Sequence, residues 1–191
     1  VILLSFVSAY SSSSTNIKSI SSPDGSLVLG LEINDGELLY SLYKNDVLII
    51  ENSRLGIIAD RFDLSDRLYV NDVIYNTYNQ TWTQVWGEQK EISNHYNELI
   101  LGLGSNQNRL KMNIYFRLFN DGLGFRYEIP EYMANFNFNI LNEITEFNLT
   151  EDSESWWIPA YAYRRYEFLY ANTLISEINR DTFSDLVEYL H

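Results

Sequence analysis

A chain of 191 residues, 46% hydrophobic and 15% aromatic, has the length and apolar content of one folded domain, not of a disordered tail. Its 26 acidic residues outnumber 13 basic ones for a formal net charge of −13, which repels phosphate backbones and excludes nucleic acid as a partner. The lack of cysteine removes disulfides, thiolate metal sites and cysteine nucleophiles, and two histidines, His95 and His191, supply neither a His-rich zinc site nor a Ser-His-Asp triad.

The chain opens on Val1-Ile2-Leu3-Leu4-Ser5-Phe6-Val7-Ser8-Ala9, an apolar run too short to span a bilayer. It reads as the apolar core of a signal peptide lacking its basic start, with Val7 and Ala9 as the small residues before a cleavage point. An apolar first strand is the competing reading. With Ser11-Ser12-Ser13-Ser14 behind it, 1–15 is expected to be a signal-peptide remnant and Ser-rich lead, cut at its N-terminus. The folded domain is then 16–191, exported and without a membrane span.

From Ser26 the pattern is β. Leu27, Leu29, Leu31 and Ile33 share one face, and Asp35-Gly36 supplies a two-residue hairpin turn. The return strand runs from Glu37 to Tyr43, a second turn falls at Asn45-Asp46, and Val47 to Glu51 is a third strand. Ser65 to Asn76 reads as strand broken at Asn71-Asp72, and Glu98 to Leu103 alternates weakly. In Leu110 to Asn120, Leu110, Met112, Ile114, Phe116 and Leu118 oppose polar Lys111, Asn113 and Arg117. Asn120-Asp121-Gly122 turns the chain, Gly124 to Ile129 returns, and Thr145 to Leu149 is a further short strand. Many short strands without βαβ alternation predict an all-β, antiparallel sandwich. Only the end is expected to be helical, with Phe183, Leu186, Val187 and Leu190 at helical spacing behind an Asp181 cap.

Three clusters could carry chemistry. Trp86-Gly87-Glu88 with Asn94-His95-Tyr96-Asn97-Glu98 gathers stacking and hydrogen-bonding groups on an expected loop; a buried Trp with a satisfied polar network is the alternative. The run Phe116 to Glu128 is a turn between core strands, with Arg126 and Glu128 on one face and able to pair. In the third, Trp156-Trp157 precede Arg164-Arg165-Tyr166-Glu167-Phe168, where Glu167 among aromatics needs Arg164, Arg165 or a bound cation as partner. No pair of carboxylates suits glycoside hydrolysis, so no catalytic residue is nominated.

Taken in series, Ser22-Pro23-Asp24-Gly25, Leu39 to Lys44, Ser53-Arg54-Leu55-Gly56, Trp86-Gly87-Glu88, His95-Tyr96-Asn97-Glu98, Phe116 to Tyr127 and Trp156 to Tyr170 resemble the N-terminal domain of glycoside hydrolase family 97. The likeness covers about 22–178. It implies a large mutarotase-like β-sandwich (supersandwich), here incomplete at its C-terminus, which packs on a (β/α)8 barrel bearing the catalytic carboxylates. It implies an exported, calcium-dependent α-glucosidase or α-galactosidase, periplasmic or on the surface of a Gram-negative cell. The sandwich of that family lends one glutamate to the barrel's calcium, and by motif that position is Glu167. Trp86, His95, Asn97 and Trp157 become candidate contacts to an α-glucoside or α-galactoside oligosaccharide.

The chain departs from that pattern in having no barrel, and Asn179 to His191 does not look like the family. The expectation is therefore a truncated enzyme that shows no hydrolysis alone. Two rivals remain. A free-standing carbohydrate-binding module would use Trp86, Trp156 and Trp157 as its platform, a reading that burial of all three indoles would remove. Mutarotase-type epimerisation would need an acid and a base, for which His95 with a nearby Glu is the candidate.

Overall fold

The structure is a computed structural model that describes residues 14–105, 111–130, 137–158 and 170–179. It divides into two compact units, Val1–Asn148 and Leu149–His191.

In the first unit, β1 (Ser14–Ser21), β2 (Leu27–Asn34), β3 (Glu37–Lys44) and β4 (Val47–Leu55) form an antiparallel meander. Both expected turns are present. Asp35-Gly36 (φ 51° and 89°) and Asn45-Asp46 (φ 48° and 65°) have positive φ at both centres, the geometry whose twist matches that of paired strands. The Leu27, Leu29 and Leu31 side chains are buried as the alternation requires. The strand β1 was not anticipated: its Ser- and Thr-rich start carries no apolar alternation, and pairing with β2 alone defines it.

A second sheet has the order β10-β9-β8-β7 and comprises β7 (Leu68–Thr83), β8 (Glu91–Ser105), β9 (Lys111–Leu118) and β10 (Leu123–Glu128). The short strands β5 (Ile57–Ala59) and β6 (Asp63–Leu64) join β11 (Ile140–Glu143) in a third sheet, β11-β5-β6. The expected break at Asn71-Asp72 is instead a bulge. Val70 pairs with Leu103 and Asp72 with Gly102, leaving Asn71 as the extra residue, while the Asp72 carboxylate accepts the Val73 N–H at 2.8 Å. The strand β7 therefore continues to Thr83. The Thr145 to Leu149 expectation shrinks to β12 (Asn148–Leu149), which extends the first sheet beyond β4.

One buried cluster joins the inner faces of the two large sheets. Leu29, Leu31, Leu38, Tyr40 and Leu55 come from the first, and Leu99, Leu101, Leu103, Met112, Ile114 and Phe116 from the second. Cross-strand pairs such as Leu99 with Phe116 and Leu101 with Ile114 lay the second face down in register. Each such Leu or Phe contributes about 1.5–3 kcal/mol on burial, so this layer is what makes the unit a β-sandwich, as expected.

Two features fix the ends. Gly36 approaches the Arg67 backbone so closely that a Cβ would lie 2.8 Å from both its Cα and N, and the Leu68 N–H donates to the Gly36 carbonyl at 2.8 Å. At the β9–β10 turn, Asn120 Oδ1 accepts the Asp24 N–H at 3.1 Å, and its carbonyl accepts from Lys44 Nζ at 3.3 Å. Turns of the first sheet are thereby tied to a turn of the second.

In the second unit, β13 (Glu154–Trp157) pairs antiparallel with β14 (Ala171–Leu174), followed by a 3₁₀ turn at Ile175–Glu177. The Asp152 carboxylate holds that turn, accepting from Ser176 N at 3.0 Å and Ser176 Oγ at 2.6 Å. The expected helix over 181–190 lies outside the described residues.

Candidate functional site

The β7–β8 hairpin carries the first cluster. Asn94 to Glu98, expected on a loop, lie within strand β8, because β7 pairs with it from Leu68 opposite Ser105 out to Thr83 opposite Glu91. The alternation sends neighbours to opposite faces. Asn97 Nδ2 donates to the Ser21 carbonyl at 2.8 Å, and its Oδ1 accepts from Thr77 Oγ1 at 2.9 Å. That side chain is thus a brace between β8 and β1, with both ends of its amide in use. His95 is half-buried opposite Asn79. Trp86 sits in the hairpin turn, 87% exposed. The hairpin brings these three residues into one element, but no hydrogen bond joins them to each other.

The other face of the sheet holds a network the sequence reading did not assemble. Glu98, its side chain 3% exposed, accepts from Arg117 Nε at 2.7 Å and from Asn76 Nδ2 at 3.2 Å. The Arg117 guanidinium lies 4.7 Å from the centre of the Tyr96 ring, which stacks on Tyr78 at 4.9 Å and packs against Phe119 at 5.0 Å. The hydrogen bond that Arg117 donates to Glu98 holds the Arg117 proton more tightly than usual, and burial pushes the Tyr96 phenol up.

Beside it, Arg126 pairs with Glu128 at 3.3 Å, as expected, and lies 4.3 Å from the centre of the Tyr115 ring. Tyr115 Oη and Asn113 Nδ2 both donate to Glu128. Burial, then Glu128, raises the Tyr115 phenol. The polar face of β9 was visible in the sequence. That Glu98 answers Arg117 follows only from the β8–β9 register. Both carboxylates already hold an arginine, and Glu98 points away from the face of His95, so the acid and base needed for epimerisation are not assembled there.

A cavity of about 400 Å³ is lined by Ile57, Tyr127, Ile129, Ile140 and Glu143. A chain of hydrogen bonds runs along it: Gly56 N–H donates to Tyr127 Oη at 3.1 Å, Tyr127 Oη meets Thr145 Oγ1 at 2.9 Å, and Thr145 donates to Glu143 at 2.7 Å. Burial raises the Tyr127 phenol. The cavity has mainly aliphatic walls with one polar line.

In the second unit, Trp156 is 70% exposed, whereas Trp157 is half-buried and its Nε1 donates to Thr173 Oγ1 at 3.0 Å. Glu167, with Arg164 and Arg165, lies outside the described residues. Among the described residues no three of His, Asp and Glu gather to hold a metal ion.

The family model described as the glycosyl-hydrolase 97 N-terminal domain matches residues 20–188. The stretch from Asn179 that read as unlike the family therefore falls within it as far as residue 188. Among solved structures, a glycoside hydrolase family 97 enzyme from Pseudoalteromonas sp. strain K8 in complex with panose is similar with a TM-score of 0.78 at 29% identity, over 84% of this chain and 25% of that one. The enzyme of the same strain in complex with acarbose gives a TM-score of 0.76 at 29% identity, over 82% and 24%. A β-arabinopyranosidase at 22% identity shares the fold, with a TM-score of 0.72 over 81% of this chain and 26% of that one. The chain thus spans about a quarter of the length of the enzymes it matches.

Proposed function

Because the chain belongs to the N-terminal domain family of glycoside hydrolase 97, we propose that it is the β-sandwich of a calcium-dependent α-glucosidase or α-galactosidase and packs on that enzyme's catalytic (β/α)8 barrel. The observation that carries this reading is the family match over 20–188. The solved relatives, which bear the same sandwich on about a quarter of their length, support it. Catalytic carboxylates belong to the barrel in this reading, and the sandwich supplies none.

Glu167 is the residue that would reach the calcium. Calcium takes six to eight oxygen ligands, so one carboxylate completes a shell that other residues mostly build. That fits a chain whose described residues gather no acidic cluster of their own. When bound, the ion supplies electrostatic polarisation of substrate oxygens. The chain's share is one hard oxygen ligand and a tie between two domains. The substrate would be an α-glucoside or α-galactoside oligosaccharide, with His95 and Trp157 as sugar contacts and Asn97 positioning the strand that bears His95. Export to the periplasm or cell surface, through the apolar run Val1 to Ala9 as leader, completes the proposal.

The test uses the chain and the whole enzyme. The 191-residue chain should not cleave aryl α-glucosides or α-galactosides, with or without calcium. In the whole enzyme, Glu167→Gln should weaken calcium binding in a chelator competition while leaving the thermal midpoint of the calcium-free protein unchanged. Calcium-dependent cleavage by the 191-residue chain would refute the proposal, and so would unaltered calcium affinity in Glu167→Gln.

A second reading, a free-standing carbohydrate-binding module, is favoured by the exposure of Trp86 and Trp156. Retardation of the chain in gels containing soluble α-glucan would support it, and unchanged mobility would dismiss it.

A further inference from the structure

The β7–β8 hairpin outruns its sheet. Strand β9 pairs with β8 only as far as Asn97 opposite Leu118, whereas β7 and β8 remain paired from Tyr78 opposite Tyr96 to Thr83 opposite Glu91. At 3.2–3.4 Å per residue this ribbon projects roughly 17–20 Å beyond the third strand. Its base is held by Phe119 against Tyr96. Farther out, Trp82 is 51% exposed, Val85 96% and Trp86 87%. A two-stranded ribbon alone is at best marginally stable in water, and this one ends in apolar side chains of which Val85 and Trp86 are almost fully exposed and Trp82 half exposed.

Three classes of occupant can be compared. A sugar would stack on the indoles but leave Val85, which has neither a flat face nor a hydrogen-bonding group, in water. A second copy would bring another net charge of −13 against a tip that itself carries Glu88, Lys90 and Glu91. A protein surface with an apolar recess satisfies all three side chains at once. The enzymes similar to this chain are more than three times as long, and about three-quarters of their length lies outside the matched sandwich.

We propose that the β7–β8 ribbon is a docking arm whose tip, Trp82, Val85 and Trp86, seats in an apolar recess of the catalytic portion of the same enzyme. This rests on the enzyme reading above. Docking orders the ribbon, and the ribbon's base transmits that order to β8 and so to His95 and the Asn97 brace.

Trypsin reads the arm directly, since Lys90 is an exposed cleavage point at the tip. In the 191-residue chain the Lys90–Glu91 bond should be cut quickly. In the whole enzyme the same bond should be cut at least about tenfold more slowly, because proteolysis follows the population of the open form. Trp86→Asp in the whole enzyme should restore rapid cutting while the far-ultraviolet circular dichroism stays unchanged. Equal cutting of chain and whole enzyme would overturn the arm, and so would protection that appears only when an α-glucan is added. Failure of the enzyme reading shows separately, in the intact mass of the natural product. A product of 22.4 kDa removes the arm together with its occupant, whereas a long product with an open Lys90 removes the arm alone.

Discussion

Replacing Arg117 by Met leaves the Glu98 carboxylate, 3% exposed, with Asn76 as its remaining donor at 3.2 Å. Removing one partner of a buried ion pair costs about 3–5 kcal/mol, because the other charge stays desolvated. Arg117 is itself 44% exposed, so water can enter the gap, and the expected loss falls to about 2–3 kcal/mol. Loss of the cation over the Tyr96 ring adds about 0.5–1 kcal/mol. Changing Glu98 to Met as well removes the stranded charge, and the double variant should be more stable than Arg117→Met alone by about 1–2 kcal/mol. The assay is urea unfolding at pH 7, followed by tyrosine and tryptophan fluorescence. With a slope of roughly 2–3 kcal/mol per molar, Arg117→Met should lower the midpoint by about 1 M. A shift under about 0.2 M, or a double variant whose loss equals the sum of the two single losses, would refute the assignment of Glu98 and Arg117 as a coupled pair.

Two further outcomes follow from the fold. Gly36→Ala combines a positive φ of 89° with a Cβ 2.8 Å from the Arg67 backbone, so it should cost about 2–3 kcal/mol and lower the thermal midpoint by roughly 4–12 °C in a melting scan. Burial pushes the Tyr40 phenol up to about 12, above its ordinary 10, which favours the neutral form in the fold. Stability from this group is complete below pH 10 and drains away as pH rises from 10 to 12, by about 3 kcal/mol at most. In Tyr40→Phe the bond to the Glu146 carbonyl, 2.8 Å long, is lost for about 1 kcal/mol at pH 7, but the decline between pH 10 and 12 should flatten in denaturation curves taken at each pH.

Where side-chain chemistry and local backbone agreed, the fold was readable from the sequence. Asp35-Gly36 and Asn45-Asp46 tolerate the positive φ that a two-residue hairpin turn requires, and Leu27 to Leu31 alternates cleanly, so the first meander was visible. Trp82 to Asn97 was harder, because a ribbon that leaves its sheet has no buried face to impose alternation, and polar residues on paired strands look like loop. Asn71 resembles a turn locally, yet Leu103 and Gly102 on the neighbouring strand hold the chain extended through it. Strand β1 is defined by its partner. The network around Glu98 escaped for a related reason: Arg117 lies 19 residues away and meets it only through register. Of the candidate contacts, Asn97 is hydrogen-bonded to Ser21 and Thr77, a bracing role that no spacing rule announces.

The Asn120 clamp has a consequence for how the molecule comes into being. It joins positions 96 residues apart, so this tie between the two layers can close only after the β9–β10 turn has been made. During synthesis the meander β1–β4 is complete well before the strands that cover it. Between Leu55 and Leu118 roughly 60 residues must be added, about 3–12 s of elongation at 5–20 residues per second. Through that interval Leu29, Leu31 and Leu38 lack the complete second sheet. The newborn chain therefore passes through a stage in which part of its core faces water, a binding opportunity for chaperones that recognise bare β-structure.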